Sequence, residues 1–389
     1  MSDSVVIVSA ARTPLGAFCG KFKSTSVVDL GAVVIKKVVE DFNATIDAVY
    51  MGCVLPAGLG QSPTRQSAIK SGLSKSVNCV NINKICGSGM IAAMFARNAI
   101  LTGESDIIVA GGMESMTCAP YLLEKARQGY RYGDGQIIDH MVRDGLWDPY
   151  GKCVMGVYAE ETAEEYGFTR EMQDEFARQS FLKARRASEN GYFKNEIVPV
   201  TVKDRKSEVV ISEDEIPFSV DLEKMPKLRS AFKENGTITA ASASSISDGA
   251  AALLLMKEST AKSLNINPIA RIVAQSTYSQ EPRRFTTAPI GAMKSALEKS
   301  GWTANDVDVF EINEAFAVVT MAAMKDLQID PAKVNLLGGA CALGHPLGAS
   351  GARVIVTLLN AMRLNNAKKG LASLCIGGGE GVAMTFEMC

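Results

Sequence analysis

Residues 105–116 read SDIIVAGGMESM, and residues 371–384 read LASLCIGGGEGVAM. Each is an apolar run of strand length that empties into glycines. The likeness spreads outward from both. VVIVSAARTP at 5–14 has a counterpart in IARIVAQSTY at 269–278, and NINKICGSGMIAAM at 81–94 has one in NLLGGACALGHPLGASGA at 335–352. No single match is strong, but the pieces keep their order, the mark of a diverged duplication. Helical patterns lie between the strand runs, at 25–42 and at 91–103, the second ending on a glycine. Apolar strands alternating with helices predict two α/β halves on a mostly parallel sheet, with helices on its faces.

From 119 to about 250 the rhythm breaks. That stretch is more charged, carries helical patterns near 157–191 and lacks the Pro, Ser and Gly runs of a linker. It reads as an inserted loop domain. The expected divisions are a first half at 1–118, the insertion at 119–249 and a second half at 250–389.

Composition narrows the function classes. The 389 residues hold 41 Lys+Arg against 42 Asp+Glu with no long run of one sign, which gives no footing for nucleic acid. Apolar residues make up 47% but aromatics only 6%, so the core must rest on Ala, Val, Ile, Leu and Met. The N-terminus has none of the features of a signal peptide, and the longest apolar runs fall short of a membrane span. Nine cysteines, an odd number without CxxC pairs, predict reduced thiols in the cytoplasm rather than a disulfide framework or a zinc site.

Cys86 lies in ICGSG (85–89), between a strand pattern and a helix pattern. A helix N-terminus lowers a thiol pKa below its free value of about 8.5. Gly87 and Gly89 would leave room for a ligand to approach. An arbitrary cysteine is more often an inert core residue, and the glycine setting weighs against that here. The chain has only two histidines, His140 and His345. His345, in GGACALGHPLGASGAR (338–353), is the candidate base for a cysteine nucleophile. His140, in the charged segment IIDHMVRDG (137–145), is expected at the surface.

Cys375, in SLCIGGGEG (373–381), precedes glycines whose free N–H groups can form an oxyanion hole. The run lacks the Lys-Ser/Thr ending of a phosphate loop. Asn313, in FEINEAFAVV (310–319), is either a helix N-cap or an amide that positions water or a substrate oxygen. These four residues stand at strand ends, where open α/β sheets gather ligands. Two thiols with distinct roles suggest acyl transfer through a thioester on one and proton transfer by the other.

With these residues in place the chain resembles the thiolase family over essentially its whole length. The resemblance rests on SAARTPLGAF (9–18), NKICGSGM (83–90), VAGGMESM (109–116), NEAFA (313–317), GGACALGHPLGASGAR (338–353) and CIGGGEGVAM (375–384). It implies a thiolase fold: duplicated βαβαβ halves in α-β-α-β-α layers with an inserted loop domain. It also implies acetyl-CoA C-acetyltransferase activity, the reversible condensation of two acetyl-CoA into acetoacetyl-CoA and CoA by a ping-pong route. Cys86 matches the acetylated nucleophile and His345 its activator. Cys375 matches the acid/base that removes the α-proton of the second acetyl-CoA. By the same resemblance, the N–H groups of Cys86 and Gly377 form one oxyanion hole. His345 and a water held by Asn313 form the other.

For the CoA chain the resemblance points to Ser244, Lys224, Leu146, Met155 and Phe316. It implies no cofactor and no metal, since CoA thioesters are the substrates, and Phe181 replaces the tyrosine of potassium-activated relatives. Val154 stands where many biosynthetic members carry histidine. Phe285 occupies a pocket position often held by methionine, which suits a short acyl group. Residues 119–146 resemble a tetramerisation loop, implying a homotetramer built as a dimer of dimers. The alternative is a degradative 3-ketoacyl-CoA thiolase, which shares the same residues. A β-ketoacyl synthase, a non-catalytic CoA or lipid carrier and a zinc enzyme are weaker readings. The first lacks a second catalytic cysteine, the second would have lost one of the three reactive residues, and the third lacks ligand spacing.

Overall fold

The computed structural model describes residues 3–204 and 207–389. The first half runs through β1 (Val5–Arg12), α1 (Val27–Val39), β2 (Ala48–Gly52), α2 (Pro63–Lys70), β3 (Asn78–Ile82), α3 (Ser88–Thr102) and β4 (Ile107–Ser115). An insertion with α4 (Met155–Tyr166) and α5 (Arg170–Glu189) follows, and then β5 (Ser247–Lys257) completes the first half. The second half runs through β6 (Ala270–Ser279), α6 (Ala288–Ser300), β7 (Val309–Ile312), α7 (Ala317–Leu327), α8 (Leu347–Leu364), β8 (Lys369–Ile376) and β9 (Glu380–Met388).

The strands lie side by side as β7-β8-β9-β6-β1-β5-β4-β2-β3. Within the sheet the halves meet through two residue pairs of β1 and β6, Val6 with Arg271 and Ile7 with Ala270. About that seam β1 answers to β6, β5 to β9, β4 to β8 and β2 to β7. The two glycine-ended runs that opened the sequence reading therefore hold equivalent slots, on β4 and β8. In the second half β8 returns directly as β9 through residues 377–379, whereas in the first half residues 116–246 separate β4 from β5. The insertion thus replaces a three-residue hairpin.

One expectation is corrected. The sheet is not mostly parallel: only β2–β3, β2–β4 and β7–β8 are parallel. The pairs β1–β5, β4–β5, β1–β6, β6–β9 and β8–β9 are antiparallel. Periodicity reports which face a residue takes, not the direction of its neighbour, and β5 and β9 each slide in beside β1 or β6 by a hairpin-like return. Strand β5 extends to Lys257 between β1 and β4.

The layering follows from which faces are apolar. Helices α1 and α2 cover one face of the first half, and α6, flanked by α7, covers the far face of the second. Between the halves lie α3 and α8, with α8 touching β4 and β5 on one side and β7 and β8 on the other. Helix α8 is buried over nearly all its length and is apolar almost all round, while α3 is buried over most of its length and leaves Phe95, Asn98 and Leu101 exposed. Residues 85–102 are even apolar enough in length and composition to cross a membrane, yet most of that stretch is buried in this central layer. Small residues let α3 and α8 approach closely. A Cβ on Gly89 would stand 2.7 Å from the Ala352 nitrogen, and one on Gly351 would strike the Met90 backbone.

The insertion is tied to the sheet by a buried cation. Arg12, at the end of β1, donates to both oxygens of Asp214 at 2.7 and 2.8 Å and to Glu196 at 2.5 Å. Removing Arg12 would leave two buried carboxylates without a cation, and breaking a buried pair in this way costs about 3–5 kcal/mol.

Candidate active site

Cys86 stands on a turn that the backbone makes under strain. Strand β3 ends at Ile82 and α3 begins at Ser88, and between them Ile85 takes φ +47°, a region that β-branched residues avoid. Local side chains hold the turn. Asn83 Oδ1 accepts from the Ile85 N–H at 3.0 Å. Ser88 Oγ accepts from the Lys84 N–H at 2.8 Å and donates to the Ile85 carbonyl at 2.7 Å. The turn delivers a half-buried Cys86 to a cavity of about 570 Å³ whose lining includes His345, Cys375 and Gly377.

The expectation of a lowered Cys86 pKa is overturned. Burial pushes the thiol up to about 11, and Glu114 raises it further, against the opposing pull of the Gly377 N–H and its own N–H. Desolvation outweighs the helix terminus. The role expected for Gly87 and Gly89 is corrected as well. A Cβ on Gly87 would strike Ile376, and one on Gly89 would strike α8, so these glycines admit the other half of the protein rather than a ligand. Cys375, at the end of β8, is fully buried. Its pKa lies well above the ordinary thiol value through burial and the neighbouring Cys86.

His345 precedes α8 and is buried. Its N–H donates to the Ser245 carbonyl at 3.0 Å. Ser350, one turn into α8, donates its hydroxyl to the Pro346 carbonyl at 2.9 Å. That leaves the Ser350 oxygen to accept Nδ1–H of His345 at 2.5 Å. This tautomer is assigned from the hydrogen bonds. Nε2 then carries a lone pair, and it is buried without a partner. Burial and the nearby Arg353 depress the imidazole pKa to about 3, so the ring is neutral at working pH.

Asn313 follows β7 but caps no helix, since α7 starts at Ala317 with Phe316 at the cap. Its Oδ1 accepts from Arg353 Nη2 at 3.3 Å, which turns Nδ2 toward His345, 3.5 Å from Nδ1. Arg353 is itself paired with Glu311 at 2.7 Å. Ser350, Arg353 and Glu114 escaped the sequence reading although two of its motifs contain them. Glu114 is buried and accepts from the N–H groups of Val54 (3.0 Å), Leu55 (3.2 Å) and Gly348 (2.8 Å). It thereby clamps the loop after β2 to the start of α8. Burial lifts its carboxyl to about 7 despite those three donors.

Of the residues expected along a pantetheine chain, Leu146, Met155, Ser244 and Phe316 line the same cavity, together with Phe285. Lys224 does not. It lies exposed on the turn Leu222–Lys227, paired with Asp221 at 3.1 Å. His140 is not a surface residue. It is 4% exposed, with Nδ1 2.6 Å from Asp144. A second cavity, of about 910 Å³, shares Val142, Gly145, Met155 and Gly377 with the first. Among the described residues no group of His, Cys, Asp and Glu is placed to hold a metal ion.

Residues 5–259 match the family model for the thiolase N-terminal domain, and residues 266–388 match that for the thiolase C-terminal domain. An acetyl-CoA acetyltransferase of Cupriavidus necator is 48% identical over 392 residues, covering 100% of both chains. The crystal structure of the Bacillus anthracis acetyl-CoA acetyltransferase superposes with TM-score 0.97 at 40% identity, covering 100% of this chain and 99% of that one. A thiolase of Ascaris suum, solved in complex with coenzyme A, gives TM-score 0.94 at 42% identity, covering 99% and 100%.

Proposed function

The chain belongs to the thiolase family, and we propose that within it the protein is an acetyl-CoA C-acetyltransferase. The observation that carries this reading is the meeting of two thiols and one neutral histidine in a single cavity. In the resting site both thiols hold their protons and Nε2 is free to take one. As Cys86 attacks the acetyl-CoA carbonyl carbon, its proton passes to Nε2 of His345. The new oxyanion is held by the N–H groups of Cys86 and Gly377. The C–S bond to CoA breaks, and the departing sulfur takes the Cys375 proton. This leaves acetyl-Cys86, a Cys375 thiolate and an imidazolium.

The second half-reaction returns every proton. The Cys375 thiolate removes an α-proton from a second acetyl-CoA while Nε2–H, with a water held by Asn313, steadies the enolate oxygen. The enolate carbon attacks the acetyl carbonyl, acetoacetyl-CoA leaves, and His345 reprotonates Cys86. Splitting one carbon–carbon bond formation into two steps is what covalent catalysis supplies. Ser244, Leu146, Met155 and Phe316 take the pantetheine arm, and Lys224 meets the nucleotide end. The insertion supplies most of these contacts, while the two halves carry the chemistry. Exposed Tyr121, Leu123, Tyr132 and Ile137 suit a loop that joins dimers into a tetramer. Nine free thiols suit the cytoplasm.

A degradative 3-ketoacyl-CoA thiolase is the second reading. The 910 Å³ cavity beyond Met155 favours it by offering space for a longer acyl chain. Thiolysis of acetoacetyl-CoA and of a medium-chain 3-ketoacyl-CoA, by wild type and by Cys86→Ser, decides between them. Turnover of acetoacetyl-CoA that vanishes in the variant supports the acetyltransferase. Faster turnover of the longer substrate supports the second reading, and no turnover of either refutes both.

A further inference from the structure

Glu380 follows the glycines of the Cys375 hairpin, and Lys84 precedes Cys86 by two residues. The Lys84 ammonium lies 2.6 and 2.5 Å from the two oxygens of the Glu380 carboxylate. Ser279 donates a further hydrogen bond to that carboxylate at 3.0 Å. The side chains are 34% and 29% exposed, so the pair is partly withdrawn from water. Each end is anchored to a fixed backbone. Glu380 is paired in the sheet with Ile376 and Ser279, and the Lys84 N–H is held by Ser88. The pair therefore joins the Cys86 turn of one half to the hairpin of the other, beside the cavity that Cys86 and Gly377 both line. The halves also meet where β1 pairs with β6 over two residue pairs and where α3 packs on α8.

We propose that the Lys84–Glu380 ion pair is a positioning device that sets the spacing between Cys86 and the Gly377 N–H. This rests on the reading of those two groups as nucleophile and oxyanion-hole donor. Losing either charge lets the two loops drift apart, and the sulfur loses a donor that favours its thiolate. The other titratable groups facing Cys86 are Glu114 on β4, Cys375 on β8 and His345 before α8, and none of them is touched by the substitutions below.

The test uses Lys84→Met, Glu380→Gln and the swap Lys84→Glu with Glu380→Lys. The rate of Cys86 alkylation by iodoacetamide is followed from pH 7 to 10.5, with the modified peptide identified by mass, and kcat and KM for acetyl-CoA are measured alongside. Positioning requires both single variants to slow alkylation in the same direction, by about two- to five-fold for a pair of this exposure, and the swap to recover most of the loss. kcat should fall in parallel with KM unchanged. A direct charge effect gives opposite signs instead, slower for Lys84→Met and faster for Glu380→Gln, and that result overturns the proposal. So does a swap no better than the singles, or a rise in KM at unchanged kcat. If wild type turns over no acetyl-CoA, the functional reading fails while alkylation still judges the ion pair.

Discussion

Replacing Gly89 by alanine puts one methyl group into the seam between α3 and α8. Its Cβ would lie 2.7 Å from the Ala352 nitrogen, 3.0 Å from the Gly348 oxygen and 3.3 Å from the Ala352 Cβ. Two of these neighbours are backbone atoms, so no side chain can swing clear. Ordinary contact begins at about 3.4 Å, so the first turns of α8 must retreat by about 0.7 Å. Overpacking of this kind costs about 1–3 kcal/mol. Exchanging glycine for alanine in a helix returns about 1 kcal/mol. The net loss of stability is therefore small, a fall in Tm of a few degrees at most. The rate suffers more. Helix α8 starts two residues after His345, and Gly348 is the residue that Glu114 clamps. A shift approaching 1 Å between base and nucleophile costs roughly 10- to 100-fold in kcat. Thermal unfolding and acetoacetyl-CoA thiolysis on the same preparation test this. A kcat within two-fold of wild type at unchanged Tm would refute the reasoning, since it would mean that α8 yields without carrying His345.

Ser350→Ala removes the acceptor that holds Nδ1–H of His345, and kcat should fall about ten-fold with KM unchanged, the effect of one well-made hydrogen bond. An unaltered kcat would show that the tautomer is set elsewhere. The Cys86 thiol, pushed up to about 11, keeps its proton through neutral pH. Its thiolate fraction should grow tenfold per pH unit, so log alkylation rate against pH should have a slope near one from pH 7 to 10. A plateau beginning below pH 9 would contradict this.

The duplication was legible because strand, glycine and helix recur in a kept order, and the meeting of Cys86, His345 and Cys375 in one cavity was legible because each was read at a strand end. Strand direction was not legible. β5 answers β4 across the whole insertion, and an apolar run carries no sign of which way its partner points. The glycines beside Cys86 were visible, but their purpose was not, since nothing in ICGSG says that α8 will lie against it. Local reasoning also gave the wrong sign for the Cys86 thiol, because a helix terminus is a neighbour in sequence whereas desolvation comes from the whole fold. Glu114 and Glu380 act through partners remote in sequence, such as Gly348 and Lys84, and only folding brings them together.

The central place of β5 bears on how the chain is made. Of the strands of this sheet β1 is the first to be synthesised, and its two partners are β5 and β6. Lys257, the end of β5, comes about 245 residues after Arg12. At roughly 5–20 residues per second the ribosome needs about 12–50 s to supply it. Throughout that interval β1 lacks both of its sheet partners, and from Ser115 onward β4 lacks β5, while the parallel strands β2, β3 and β4 can pair as soon as they are made. The first half cannot close as a unit before β5 has been made, and until then the growing chain depends on other means of shielding VVIVSAAR.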